Sequence, residues 1–421
     1  MSKELDKLLE QLIKLHPKYI DLSLNRILKL LQKLDNPHLK LPPVIHIAGT
    51  NGKGSVLSYI LNILKENSYK IHAYTSPHLS KFNERIVISN NIISTAKLIK
   101  TLKNIKKING KQPITFFEIT TAAAFYLFSK ERADFVILET GLGGRLDATN
   151  VITNSLINII TPIGIDHQEF LGKKIINIAN EKLGIIKQNS VVIFSKQKKI
   201  VDSHIKKKLF KKKNEKLFFN QNYKIIYQNN NLFKLKYKKK LFNFKNPKLN
   251  GEHQIENAST AITAALYLKE IGYNIEKKNI DKAMLNTKWP GRLEKTKKNN
   301  VIFYLDGAHN IDGANAILKF FKKKDIKVWL IFGMLNNKNI YNFLKILKPI
   351  LLGVICIPIP NEKNTYKNEE MIKVCKKLKI LSFKKNNFSC AKNFLLKEIN
   401  PKVILISGSL YLIGKIRNRL L

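Results

Sequence analysis

The feature that most constrains the fold is a glycine-rich turn between an apolar run and a helical pattern. The segment "VIHIAGTNGKGS", residues 44–55, places Lys53 and Ser55 beside three glycines, Gly49, Gly52 and Gly54. Glycine permits positive φ and lets backbone N–H groups approach phosphate oxygens closely. The usual P-loop has four residues between its first glycine and its Gly-Lys pair, whereas this turn has two. Strand, turn and helix in this order predict a phosphate site in which Lys53 neutralises the terminal phosphates and Ser55 ligates magnesium.

The apolar patterns predict an α/β protein of two domains. Short β-branched runs alternate with helical stretches, which is typical of parallel strands joined by crossover helices. We expect an N-terminal P-loop parallel-sheet domain over residues 1–288, a linker over 289–297 around a Pro-Gly pair, and a smaller C-terminal Rossmann-like α/β domain over 298–421. The lysine-rich segment 195–244 predicts a small antiparallel sheet at the edge of the first domain.

The charge balance first suggests a nucleic-acid protein. Lys and Arg number 75 against 30 Asp and Glu, which gives a formal net charge of +45. However, lysine recurs along the whole chain together with abundant asparagine and isoleucine, a pattern that an A/T-biased coding sequence produces. We therefore favour drift in surface composition over specific nucleic-acid binding.

The N-terminal residues, the lack of a long apolar run and the cysteines indicate the cellular compartment. The first residues mix both charge signs in an amphipathic pattern and lack the features of a signal peptide, and no run reaches the ~18 apolar residues of a membrane span. The three cysteines have no metal-binding spacing, and their odd number argues against a disulfide framework. We expect a cytoplasmic protein with no membrane partner.

The short glycine turn resembles that of the ATP-dependent amide ligases, the group that contains folylpolyglutamate synthases and muramyl peptide ligases. Further stretches resemble the folate branch in that family's order. They are "YTSPHLSKFNERIVI", "VILETGLGGRLDATN", "TPIGIDHQEFLG", "EKLGIIK", "GEHQIENA", "WPGRLE", "LDGAHN" and "ISGSLYL". The resemblance runs from about residue 22 to the end of the sequence. It implies an ATP-dependent ligase of two α/β domains.

Two residues at predicted strand ends are candidate metal ligands. Glu139 and His167 each close an apolar run, and strand ends meet in the crevice of an open α/β sheet, where these side chains suit Mg²⁺ or Mn²⁺. The resemblance implies that both bind metal, with hydroxyl contacts from Ser55 and Ser76. It also implies that Lys182 is carbamylated and approaches a second ion; K⁺ is a further possible cofactor.

The resemblance assigns ATP contacts to both predicted domains. In the first domain they include Asn257, in the linker Arg292, and in the second domain Asp306 and His309. The turn contributes the rest: Gly49, Thr50, Asn51, Gly52, Lys53, Gly54 and Ser55. Arg292 suits the charge that develops between the β- and γ-phosphates. If both domains bind ATP, catalysis requires closure across the linker.

The folate site and the catalytic group are also assigned by resemblance. Asp147, with Arg145 and Glu118, is expected near the pterin, where a carboxylate accepts hydrogen bonds from ring N–H groups. From the residues alone, Asp147 equally fits a turn-stabilising aspartate and Glu118 a residue that braces the site. The expected catalytic group is Lys53, His167, Lys182 and Arg292.

The predicted reaction is ligation of L-glutamate. ATP would phosphorylate the carboxylate of dihydropteroate, or the γ-carboxylate of a tetrahydrofolate, and the glutamate amine would displace phosphate from the acyl phosphate. A muramyl peptide ligase is the nearest alternative, although only about forty residues precede the turn and that enzyme needs a domain for its UDP-sugar. A nucleic-acid-dependent P-loop ATPase and a non-catalytic homologue also stay open. We expect a monomer.

Overall fold

Two large sheets, one in each of two units, organise the chain. The structure, a computed structural model, describes residues 3–229, 231–298 and 300–420. The chain divides into a first unit, Met1–Pro247 with Glu256–Thr287, and a second unit, Lys248–Ile255 with Lys288–Leu421. Each unit has its own sheet, and the predicted two-domain α/β fold is confirmed. The predicted domain boundaries stay predictions.

The first unit is built on an eight-stranded sheet. Its strands are β1 Val44–Ala48, β2 Ile71–Tyr74, β3 Ile86–Ile88, β4 Asn91–Ile92, β5 Phe135–Glu139, β6 Ile157–Ile160, β7 Val191–Phe194 and β8 Lys216–Phe218. They lie in the order β4-β3-β2-β5-β1-β6-β7-β8, parallel except for β3 and β4 at one edge. The central strands are buried at every position, which explains their unbroken apolar sequences. The glycine turn follows β1, at the middle of this sheet.

Helices cover both faces of this sheet. They are α1 Lys3–Ile13, α2 Asn25–Lys33, α3 Lys53–Glu66, α4 Thr95–Asn109, α5 Phe116–Lys130, α6 Gln168–Leu171, α7 Ile175–Leu183, α8 Lys199–Leu209, α9 Glu252–Glu270 and α10 Lys277–Asn286. One hydrophobic core joins α1, α2, α4 and α5, and another joins α7 and α8 to the far strands. No helix among the described residues is long and apolar enough to cross a membrane.

The lysine-rich segment 195–244 differs in part from its prediction. A three-stranded antiparallel sheet does form, from β9 Tyr223–Gln228, β10 Leu232–Tyr237 and β11 Lys240–Lys245. Before it, however, the chain forms α8, and β8 pairs parallel with β7. Val201, Ile205 and Leu209 of α8 are buried at the four-residue spacing of a helix face. The lysines between them concealed that spacing in the sequence.

The described part of the second unit contains a six-stranded sheet and five complete α-helices. Its strands are β12 Glu294–Lys298, β13 Val301–Leu305, β14 Val328–Phe332, β15 Leu351–Cys356, β16 Ser382–Lys384 and β17 Val403–Ser407, in the order β12-β13-β17-β14-β15-β16. Its helices are α11 Ile311–Lys323, α12 Ile340–Leu347, α13 Asn368–Lys377, α14 Phe388–Phe394 and α15 Leu410–Ile416. Among the described strands of this sheet, only β12 runs antiparallel to its neighbour, and it begins inside the segment predicted as a linker. Its sequence, "EKTKK", has no apolar residue to reveal an edge strand.

We predict that Gly353→Ala weakens the second unit. Gly353 pairs with Trp329 across β14 and β15, and a Cβ at this position would lie 2.4 Å from the Trp329 ring. Such overpacking costs about 1–3 kcal/mol. Urea unfolding followed by tryptophan fluorescence measures this loss, because both tryptophans, Trp289 and Trp329, lie in the second unit. Leu352→Ala at the exposed neighbour is the control, and equal midpoints for the two variants would contradict the packing argument.

Candidate active site

Close backbone packing shapes the glycine turn. A Cβ on Gly49 would lie 1.8 Å from Thr161 Oγ1, at the end of the neighbouring strand β6. Gly52 has φ +87° at the start of α3, and a Cβ there would lie 2.5 Å from Asn257 Oδ1. The turn therefore brings Asn257 beside Gly52, as the predicted nucleotide site requires. Sequence reasoning missed Thr161, although its place directly after a buried strand was a usable signal.

Two lysines converge on one carbonyl of the turn. Lys53 Nζ lies 3.2 Å and Lys182 Nζ lies 2.8 Å from Gly49 O, and both donate to it. Lys182 is only 5% exposed. Burial, reinforced by the nearby charge of Lys53, lowers the pKa of Lys182 to about 7. A substantial share of Lys182 is therefore a neutral amine at neutral pH.

Glu139 lies between Lys53 and Ser76 and contacts both. Glu139 ends β5, and its carboxylate accepts a hydrogen bond from the Ser76 backbone N–H at 3.2 Å. Lys53 Nζ lies 3.9 Å from the other carboxylate oxygen. Ser76 Oγ is buried and has no hydrogen-bond partner. A carboxylate beside an unpartnered hydroxyl is a donor set that fits a hard divalent cation.

His167 lies in a strained turn after β6. It adopts φ +49° directly before α6, and its backbone N–H donates to Asp166 Oδ1 at 2.9 Å. Its Nε2 lies 3.8 Å from Asp166 Oδ2. The described residues contain no group of three or more His, Cys, Asp or Glu side chains that could hold a metal. A metal site here would thus need hydroxyl, carbamate or substrate oxygens as well, and the role of His167 stays a prediction.

The two loop residues predicted to bind folate, Arg145 and Asp147, already have partners within the protein. Asp147 is buried, and its two carboxylate oxygens accept from the Thr149 N–H at 3.0 Å, the Thr149 hydroxyl at 2.6 Å and the Leu142 N–H at 2.8 Å. Burial raises the pKa of Asp147 despite these bonds. Arg145 is exposed and forms a 3.0 Å ion pair with Glu181. The geometry therefore favours the turn-stabilising role for Asp147, while its contact with a ligand stays a prediction.

Glu118 caps the helix α5. One carboxylate oxygen, Oε2, accepts from the Thr115 N–H at 2.8 Å and from Arg26 Nε at 3.1 Å, and the Thr115 hydroxyl accepts in turn from the Glu118 N–H. The spacing Thr-x-x-Glu in "TFFE" signals this capping box in the sequence. Its other oxygen, Oε1, is buried without a hydrogen-bond partner. Glu118 thus braces the start of α5 and retains one acceptor.

The candidate residues of the second unit lie around the C-terminal end of β13. Asp306 is buried and accepts from the Leu293 N–H and the Ala308 N–H, both at 2.8 Å. Burial raises the pKa of Asp306, and the positive charge of Arg292 partly offsets that effect. A Cβ on Gly307 would lie 3.0 Å from Arg292 Nη1. His309 Nδ1 lies 3.0 Å from Gly307 O. The structure thus brings Arg292, Asp306 and His309 near one another around Gly307, and their contact with ATP stays a prediction.

Comparison with known proteins identifies the family of this chain. The model of the Mur ligase middle domain matches residues 47–265, and that of the Mur ligase glutamate ligase domain matches residues 291–410. The chain belongs to the Mur ligase family. This Mur ligase-family chain is 32% identical over 415 residues to the dihydrofolate synthase/folylpolyglutamate synthase of Bacillus subtilis, covering 94% of this chain and 95% of the relative. The predicted folate branch is confirmed.

Two solved structures resemble this one over nearly its full length. Escherichia coli FolC, in complex with DHPP and ADP, has a TM-score of 0.89 and 26% identity, covering 99% of this chain and 98% of that one. The folylpolyglutamate synthase of Thermotoga maritima has a TM-score of 0.82 and 31% identity, covering 99% and 97%. The fold similarity therefore extends through both units.

We predict that Lys182 makes stability depend on pH. Its folded pKa of about 7 lies below its ordinary value of 10.5, so between these pH values the unfolded chain binds more protons than the folded chain. The unfolding free energy of the wild type, relative to Lys182→Met, should therefore rise from pH 7 to pH 9 by up to about 1.4 kcal/mol per pH unit. Urea unfolding in CO₂-free buffer at both pH values measures the difference, and a difference that does not change with pH would contradict the assignment.

Proposed function

We propose that this chain is an ATP-dependent ligase that adds L-glutamate to dihydropteroate and to the γ-carboxylate of tetrahydrofolates. The observation that carries the proposal is the glycine turn with Lys53, Lys182 and Glu139 in a chain whose relatives are dihydrofolate synthase/folylpolyglutamate synthases. The E. coli relative binds ADP and DHPP, which supports a nucleotide and a pterin as ligands here as well. The products are an amide, ADP and phosphate.

The turn and Lys53 can activate the acceptor. A carboxylate is a poor electrophile, and transfer of the γ-phosphoryl group of ATP converts it to an acyl phosphate. Backbone N–H groups of the turn and the Lys53 ammonium would neutralise phosphate charge as it shifts during transfer. The glutamate amine then attacks the carbonyl carbon, the C–N bond forms, and phosphate leaves with one oxygen of the original carboxylate. No side chain is required as a covalent nucleophile.

The Glu139 carboxylate near Lys53 and the Ser76 hydroxyl favour the binding of a divalent cation. Ser55, Ser76, Glu139 and His167 would hold Mg²⁺, and the unpartnered Ser76 hydroxyl beside the Glu139 carboxylate is the observation that favours this. The ion, when bound, supplies positive charge to the phosphate oxygens. A second ion near Lys182 and a K⁺ ion are finer proposals that rest on the family resemblance.

Carbamylation of Lys182 is chemically accessible. The neutral amine attacks CO₂, a new N–C bond forms and one proton leaves, so that the neutral amine becomes an anionic carbamate. The lowered pKa of Lys182, about 7, supplies the neutral amine that this step needs. Because Lys182 is buried against Gly49 O, the carbamate oxygens would lie close to the glycine turn. A carbamate at this position can supply the additional oxygen ligands that a second ion requires.

The other proposed contacts complete the substrate sites. We assign ATP contacts to Asn257 and to Arg292, Asp306 and His309, and folate contacts to Arg145, Glu118 and the loop that Asp147 stabilises. The free thiols Cys356, Cys375 and Cys390 are consistent with a reducing cytoplasm. We further propose that the enzyme acts as a monomer and has no specific nucleic-acid partner.

The direct test is glutamate addition with Mg-ATP. We predict that the wild type gives phosphate and a glutamate-sized mass gain on dihydropteroate and on tetrahydrofolate. Lys53→Met should lower kcat about 10²- to 10³-fold, because it removes a donor aimed at phosphate charge. Lys65→Met, at an exposed lysine of the same helix α3, is the matched control and should keep full activity.

Two outcomes would contradict this proposal. One is ATP turnover that DNA or RNA stimulates while folate and glutamate have no effect. The other is a protein that binds ATP yet adds glutamate to neither acceptor.

A further inference from the structure

Arg85 is a buried cation without an acidic partner. It follows the segment "SPHLSKFNE", and the residue is only 6% exposed. Its guanidinium lies 5.0 Å from the Phe82 ring centroid and 5.8 Å from that of Phe116. The one hydrogen bond that the Arg85 side chain makes among the described residues runs from Nε to His78 Nδ1 at 3.0 Å. His78 Nδ1 accepts this hydrogen bond and therefore carries no proton. The imidazole ring has no negative charge, so it does not balance the positive charge of Arg85.

This lack of a counter-charge is unusual for a buried arginine. Arg26 pairs with Asp21 and Glu118, and Arg417 pairs with Glu294, whereas no carboxylate among the described residues lies within 4.0 Å of Arg85. Removing a guanidinium from water is costly, and the phenyl rings compensate only in part. A guanidinium also carries five N–H donors in a planar fork, which matches a carboxylate. A ligand carboxylate would therefore complete this site.

The position of Arg85 distinguishes it from the reacting centre. The Thr75 N–H donates to Arg85 O, and Tyr74 is in register with Leu138, so Arg85 lies level with Glu139 at the same end of the sheet. The strand order β3-β2-β5 separates the two backbones by two strand spacings, about 10 Å. The guanidinium packs on Phe82 and Phe116 and forms no ion pair with Glu139. A carboxylate held by Arg85 is thus not the one that receives phosphate beside Lys53.

We propose that Arg85 binds a non-reacting carboxylate of the acceptor, the α-carboxylate of the glutamate that a folate already carries. This inference rests on the proposed function. It makes Arg85 a specificity residue, because dihydropteroate has only the reacting carboxylate, whereas a glutamylated folate has a second one. The arginine then favours acceptors that already contain glutamate.

Binding of a matched ligand pair tests the proposal. Tetrahydropteroate and tetrahydrofolate differ only by the glutamate, and isothermal titration gives the Kd of each. Arg85→Met keeps an unbranched side chain over the phenyl rings but removes the charge. We expect it to raise the Kd of tetrahydrofolate about 10- to 100-fold and that of tetrahydropteroate less than about threefold. Arg85→Met should likewise raise the KM for tetrahydrofolate much more than the KM for dihydropteroate.

Two further variants separate binding from support of the loop. Arg85→Lys keeps the charge without the planar fork, so tetrahydrofolate affinity should recover in part, and this variant also serves if Arg85→Met does not fold. Arg132→Met, at an exposed arginine, should change neither Kd.

Several results would overturn the proposal. Arg85→Met could weaken the binding of both ligands equally or change neither Kd, and Arg85→Lys could restore no selectivity for tetrahydrofolate. The wild type could also bind tetrahydrofolate no more tightly than tetrahydropteroate. Failure of the proposed function would look different, since the wild type would then conjugate glutamate to no acceptor.

Discussion

The close packing of Gly49 against Thr161 is the constraint on which the candidate active site depends. Only a residue without a side chain lets the chain leave β1 at this point, since a Cβ would lie 1.8 Å from Thr161 Oγ1. That path directs the Gly49 carbonyl toward Lys53 and Lys182 and starts α3 at Lys53. The backbone of the turn is thereby fixed before any ligand binds, which is the preorganisation that phosphate chemistry requires.

Charge around this turn is balanced only in part by the protein. Lys53 and Lys182 share one neutral carbonyl, and the nearest carboxylate oxygen to Lys53, on Glu139, lies 3.9 Å away. The lowered pKa of Lys182 follows from its burial and from this crowding of cations. Phosphate groups, or a carbamate on Lys182, would supply the missing negative charge. The site therefore has the electrostatic character of a receptor for anions.

The sequence predicted the elements that have strong local signals. Central strands such as β1 and β5 are buried on both faces and have unbroken apolar sequences. The glycine turn is recognisable from its three closely spaced glycines and its lysine. It did not reveal β12, whose exposed lysine-rich residues are held in place by pairing with β13, or α8, whose apolar face is interrupted by lysines. Such elements are defined by distant contacts that no local pattern contains.

The same limit applies to the candidate site. Lys53 and Glu139 could be found because a turn and a strand end mark them. The hydrogen bonds that occupy Asp147, the unpartnered Ser76 hydroxyl and the isolated charge of Arg85 depend on the three-dimensional packing around them. Family resemblance supplied roles for several of these residues, while the structure supplied the physical reasons that support or modify those roles.

The central claim is that this turn activates a carboxylate as an acyl phosphate. Dihydropteroate labelled with ¹⁸O in its carboxylate tests it directly, with ³¹P NMR of the phosphate released during glutamate addition. If the acyl phosphate forms, one labelled oxygen from each acceptor molecule appears in inorganic phosphate. Unlabelled phosphate accompanying amide formation would contradict the account.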